Sequence, residues 1–153
     1  MSSFSRVLLC YDATREGQRA LGEAAALVEV LRAETHVLSI LNNASWIQGA
    51  DITSAVPFDV VSNAAKDLLQ EGLKKLAARG IQATGHFVVG EPLDQIPLFA
   101  KDLNVDLIVV GHRHASRLAR WWAGKNDGRL LDKVSCSVLV AMCPKDDGIG
   151  SIA

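Results

Sequence analysis

The chain has 153 residues, 49% of them hydrophobic and 22% charged, with a formal net charge of −1. That length suits one domain with a well-buried core, and the composition argues against disorder. A near-zero charge gives no basic field for nucleic acid or an anionic membrane surface. No apolar run nears the roughly 20 residues that a bilayer span requires.

The opening MSSFSRVLLCYD enters a short apolar run and closes on Asp12. It reads as a first core strand, Arg6–Tyr11, rather than a signal peptide, which needs a longer apolar region. Thr14 is placed to cap the following helix, with Glu16 and Glu23 in its amino-terminal half, where the dipole favours acids. Apolar positions Ala20, Leu21, Ala24, Ala25, Leu27, Val28 and Leu31 recur at helical spacing as far as Arg32. Thr35–Leu41 is the second strand. Residues 42–57 have no regular pattern and include Trp46; they read as a connection or a flap beside a ligand face.

A long helix is predicted over Phe58–Arg79, with Val61, Ala65, Leu68, Leu69, Leu73, Leu76 and Ala77 as its buried stripe and Gly80 as its stop. Ile81–Val89 alternates and reads as a third strand near a sheet edge. Pro92 suits the first turn of the next helix, which carries Ile96, Leu98, Phe99, Ala100 and Leu103 and ends at Asn104. Pro97 lies close enough to its start to be tolerated. The fully apolar Leu107–Val110, closed by Gly111, is the fourth strand.

A basic loop follows with His112, Arg113, His114, Arg117 and Arg120, then Trp121 and Trp122. A short helical pattern over Arg129–Lys133 leads to a last apolar strand, Val138–Ala141. Residues 1–145 form the expected domain and 146–153 a mobile tail. Apolar strands alternating with helices predict a doubly wound α/β domain, a five-stranded parallel sheet with helices on both faces. Ligands of such sheets bind beyond the carboxyl ends of the strands, so the long loop after Gly111 is where function is sought.

Gly111, two residues, His114, nine residues and Gly124-Lys125 together resemble the carboxyl-terminal signature of the universal stress protein family. In its nucleotide-binding members the pattern is Gly, two residues, Gly, nine residues, then Gly-Ser or Gly-Thr. The spacing is kept here, but His114 and Lys125 replace the second glycine and the hydroxyl residue. Arg6–Asp12 is similar to the family's opening strand and aspartate, and Gly90-Glu91-Pro92 to its turn before the third helix.

The resemblance implies strand order 3-2-1-4-5, with a crevice beside Asp12 and Gly111. It further implies a pocket for ATP or another adenine nucleotide with magnesium. Asp12 would hold the adenosine portion and Ile40 would lie against the adenine. Val110, Gly111, Gly124 and Asn126 would line the pocket, with Arg113, His114 and Lys125 beside the phosphates. Lys125 can hold a phosphate as a point charge, whereas His114 adds bulk where glycine would let the backbone curl.

The functional expectation is a small cytoplasmic stress-response or regulatory protein, not an enzyme. It is expected to be a homodimer through its last strand, Ser137–Met142, because an unpaired apolar edge invites association. Protein partners are open to it, and neither nucleic acid nor membrane is expected. An alternative is a dimeric interaction protein without nucleotide, working through Trp46, Trp121 and Trp122; His114 and Lys125 favour it. A less favoured alternative is a slow ATP hydrolase or nucleotidyl-transfer enzyme on a related fold; such enzymes tend to carry a glycine-rich or His-rich loop after the first strand, where Asp12-Ala-Thr-Arg-Glu stands here. His112 and His114 lack a neighbouring ligand to complete a metal site. Cys10, Cys136 and Cys143 have no metal spacing and read as small buried hydrophobes of a reducing compartment.

Overall fold

The computed structural model describes residues 4–13, 15–41, 57–112 and 130–142. In chain order they form β1 (Arg6–Tyr11), α1 (Arg15–Leu31), β2 (Glu34–Leu41), α2 (Phe58–Ala78), β3 (Ala83–Val89), α3 (Pro92–Asp102), β4 (Leu107–His112), α4 (Leu130–Lys133) and β5 (Ser137–Met142). All five strands are parallel, in the spatial order β3-β2-β1-β4-β5. The chain therefore winds outward from β1 to β3, returns to the far side of β1 as β4, and finishes at β5.

β1 is apolar because both its faces are covered. Successive side chains point to opposite faces of a strand. Val7, Leu9 and Tyr11 pack under α1 and α2 with Leu21, Ala25, Val28, Leu68 and Leu69. Leu8 and Cys10 pack on the other face with Ile96 and Ala100 of α3 and Leu130 of α4. At the two sheet edges the covering thins: β3 is only half-buried along most of its length, and Leu139 of β5 is 41% exposed.

Two helix ends show how local chemistry sets the boundaries. After α2, Gly80 takes φ +82°; its N–H donates to the Ala77 carbonyl and that of Ile81 to the Leu76 carbonyl. After α3, Asn104 takes φ +54°, with Asn104 N–H donating to Lys101 and Val105 N–H to Ala100. Both are Schellman closures, which need a left-handed residue after the cap. The first corrects the expected start of the third strand. Ile81 is spent closing the helix and packing on the core beside Leu76, so β3 begins at Ala83. Pro97 sits within α3, which continues through it to Asp102. The tail, and Thr14 with its capping role, lie outside the described residues.

Candidate functional site

The winding reverses between β1 and β4, and at such a reversal the loops leaving the two strands diverge and leave a crevice. Three residues singled out in the sequence meet there. Asp12, Ile40 and Val110 line one tight crevice together with Cys10, Tyr11, Pro92 and Ile96. The pairing register explains the convergence. Cys10 sits beside Leu38 on one side and Val110 on the other, and Ile40, two residues beyond Leu38 on the same face of β2, extends that layer to the level of Asp12. Pro92 and Ile96 close it from α3, one helical turn apart on the same side.

Among the described residues the walls are mainly apolar, with the Asp12 carboxylate beside them. Such a lining suits a flat, weakly polar ring with a hydroxyl-bearing neighbour. The space between these side chains is too small to admit a water molecule, so a ligand would rest against the mouth of the crevice rather than fill it. Immediately after Asp12, Ala13 takes φ +62°. Outside glycine the left-handed region costs about 1–2 kcal/mol, and here it turns the chain sharply from β1 towards α1 at the rim of the crevice.

Gly111 has a different setting from the one its motif suggests. A Cβ there would sit 3.0 Å from the Gly17 carbonyl oxygen, 3.3 Å from Leu21 Cγ and 3.4 Å from Ala20 Cβ. The missing side chain thus lets α1 press its backbone onto β4, on the sheet face opposite Val110. Its φ is not among the positive ones, so no left-handed turn demands glycine at this position.

Tyr11 is 2% exposed on the α1 face, next to Ser39 of β2, and neither hydroxyl has a hydrogen-bonding partner of good geometry. Burial pushes the Tyr11 phenol above its usual range; the Ser39 hydroxyl pulls it down in part, and Asp12 adds to the rise. Burial also raises the Cys10 thiol well out of the reactive range, so it stays protonated and inert.

Arg113, His114, Gly124, Lys125 and Asn126 lie outside the described residues, as do Trp46, Trp121, Trp122 and Cys143. The crevice residues the sequence reading missed are Cys10, Tyr11, Pro92 and Ile96. Their signal was available. Cys10 is two residues before Asp12 on one strand, and the turn at Pro92 leaves the carboxyl end of β3, the same rim of the sheet. Among the described residues no group of three His, Cys, Asp or Glu side chains is placed to hold a metal. A polar chain does exist at the opposite end of the sheet. His36 Nε2 is 3.0 Å from Glu34 Oε1, and its Nδ1 is 3.0 Å from His86 Nε2. A carboxylate only accepts, so His36 Nε2 donates to Glu34, and one ring nitrogen of the His36–His86 pair donates to the other.

Fold and crevice together define a doubly wound α/β protein with a small crevice at the strand reversal. The sequence matches the Universal stress protein family over residues 3–141. Universal stress protein YxiE of Bacillus subtilis is 29% identical over 146 residues, covering 90% of this chain and 98% of the relative. Among solved structures, a universal stress protein in complex with cAMP superposes with a TM-score of 0.62 at 20% identity, covering 93% of this chain and 99% of the other. The universal stress protein from Archaeoglobus fulgidus in complex with dAMP gives 0.59 at 20% identity, covering 92% and 98%. The chain belongs to the universal stress protein family. No helix among the described residues is long and apolar enough to cross a membrane.

Proposed function

We propose that the protein is a regulatory module that binds an adenine nucleotide in the crevice at the ends of β1, β2 and β4. The observation that carries this reading is the meeting of Asp12, Ile40 and Val110 around one small apolar crevice. The base would rest against Ile40, Val110 and Ile96, with the Asp12 carboxylate accepting hydrogen bonds from the ribose. Gly124, Lys125, Asn126, Arg113 and His114 would meet the phosphates, and a magnesium ion would supply further positive charge to offset theirs. That structures of similar fold hold cAMP and dAMP supports the adenine class.

The protein works by binding rather than turnover, in the cytoplasm, as a homodimer formed along β5. The exposed Leu139 on that unpaired apolar edge favours the dimer. A second reading, an interaction protein without nucleotide, is favoured by His114 and Lys125 standing where nucleotide-binding relatives have glycine and a hydroxyl residue.

The test is mass spectrometry of a denatured extract of the purified protein, paired with thermal-shift titrations of AMP, cAMP, ADP and ATP with and without magnesium. A ligand at a hundredfold its Kd stabilises by about 2.7 kcal/mol, a rise of roughly 5–10 °C at this size. The reading expects such a rise, lost on Asp12→Ala. No co-purified nucleotide and no shift with any of the four would overturn it in favour of the interaction protein.

A further inference from the structure

β2 and β3 each place a histidine on the sheet face that α3 covers. His36 is opposite Thr84 and His86 is opposite Leu38, so the two imidazoles are diagonal neighbours across the strand pair. His36 is 8% exposed and His86 is half-buried. Their facing nitrogens, His36 Nδ1 and His86 Nε2, are 3.0 Å apart, with the ring centroids at 5.2 Å.

The charges around the pair come from one side. Glu34 of β2 accepts from His36 Nε2 at 3.0 Å, and its other oxygen lies 3.3 Å from Arg6 Nε of β1. α3 brings Phe99, whose ring stands edge-on to His86 with centroids 5.5 Å apart. The charged residues of α3 are turned elsewhere. Asp94 and Lys101 line the groove towards α4, where Asp94 pairs with Lys133, and Asp102 is exposed. Glu91 stands at the far end of the helix, as its N-cap. β3 itself has no other titratable residue. Burial first, and His36 second, hold the His86 imidazole below its ordinary value.

Counting protons fixes what the contact can hold. A ring-to-ring hydrogen bond needs one N–H and one lone pair. In the neutral pair His36 keeps its proton on Nε2 for Glu34, and His86 Nε2 donates to His36 Nδ1. With one proton added the bond survives, because His36 then donates from both nitrogens, to Glu34 and to His86. A second added proton puts an N–H on both facing nitrogens. The bond then breaks, and two like charges stand side by side.

The contact ties together elements that meet at an edge. β3 is the outermost strand and pairs with β2 alone. Phe99, one helical turn beyond Ile96, packs in the same cluster as Val88 of β3 and Leu103. His86 therefore touches β2 through His36 and α3 through Phe99.

We propose that His36 and His86 form a pH-sensitive clasp, which holds β3 and the carboxyl-terminal half of α3 against β2 and releases them when both imidazoles are protonated. The proton is the only trigger required, and the clasp does not depend on what the crevice at the other end of the sheet binds.

The test is amide hydrogen exchange of the full-length protein across pH 7.5 to 5, corrected for the chemical exchange rate, with an NMR titration of the imidazole nitrogens alongside. An opening that takes up one proton grows about tenfold for each pH unit below about 6.5, so protection in β3 and over Phe99–Val105 should fall by that factor. Amides of β1 and β4 should exchange more slowly at every pH, because they open only with the whole domain. The imidazoles should titrate as a coupled pair in two separate steps, the second below the ordinary range. His86→Gln keeps an N–H donor for His36 but cannot take up a proton. It should remove the pH dependence of α3 exchange while leaving α3 protected at pH 7.5. Should that variant not fold, the exchange and titration curves of the unaltered protein decide. The proposal is overturned if the two histidines titrate independently, or if α3 exchange is flat with pH. It is equally overturned if α3 and β1 exchange at one common rate throughout, which would mean global unfolding, or if His86→Gln keeps the full pH dependence.

Discussion

Gly111 offers a sharp separation of packing from ligand binding. In Gly111→Ala the new methyl would stand 3.0 Å from the Gly17 carbonyl oxygen and within 3.4 Å of Leu21 and Ala20. Comfortable non-bonded separation is about 3.5–4.0 Å, so α1 must retreat by roughly half an ångström. The nearest atom is helix backbone, which cannot swing aside as a side-chain tip can. Overpacking of this kind costs about 1–3 kcal/mol. The loss of glycine freedom in the unfolded chain returns about 0.4–1 kcal/mol. A net destabilisation of about 1.5 kcal/mol is expected, or roughly 3–6 °C in Tm. Urea unfolding with an unchanged m-value is the assay, since a shift in midpoint alone reports stability. Gly22→Ala is the control: its methyl meets nothing within 4 Å, and alanine in a helix is better by about 0.5–1 kcal/mol. A Gly111→Ala protein as stable as the parent would refute the packing role. If that variant also lost AMP binding, the open side of Gly111 would belong to the ligand instead.

Two further outcomes follow from geometry. Gly80→Ala places a side chain at φ +82° in the closure of α2 and should cost about 1 kcal/mol, read as a fall of roughly 2–4 °C in Tm; no change would mean that the closure can re-form with another residue. His86 is held below its ordinary value by burial first and by His36 second. A depressed imidazole gives stability that is present above the unfolded value near 6.5 and is lost as pH falls below it. Unfolding midpoints should therefore drop between pH 7.5 and 5, and His86→Gln should flatten that drop; an equal slope in both proteins would refute it.

Much of the fold was legible in order along the chain. The apolar run of β1 could only belong to a strand covered on both faces, and the stripe of α2 ended where Gly80 stood. Gly80 and Asn104 were readable as stops because left-handed backbone is a local demand, met by the residue that occupies the position. The boundary at Ile81 was not readable. Its alternation with Gln82 and Ala83 looks like a strand, and only the hydrogen bond to Leu76 and the contact with the core decide that it closes a helix.

The candidate site divides in the same way. Asp12 and Val110 were recoverable because a strand's carboxyl end is a local feature. Their union with Ile40, Pro92 and Ile96 is not local, since it depends on β2 and β4 flanking β1. Gly111 shows the difference most plainly. A glycine in sequence declares a missing side chain but not what fills the space, and here a helix almost a hundred residues earlier does so. α1 and α2 likewise meet only in the fold, tied to each other through Gln18 and Arg79. The sequence by itself determined which segments are strands and helices and which face of each is apolar, because periodicity and backbone preference act over a few residues. Tertiary structure alone decided which faces meet, because burial couples segments without regard to their separation along the chain.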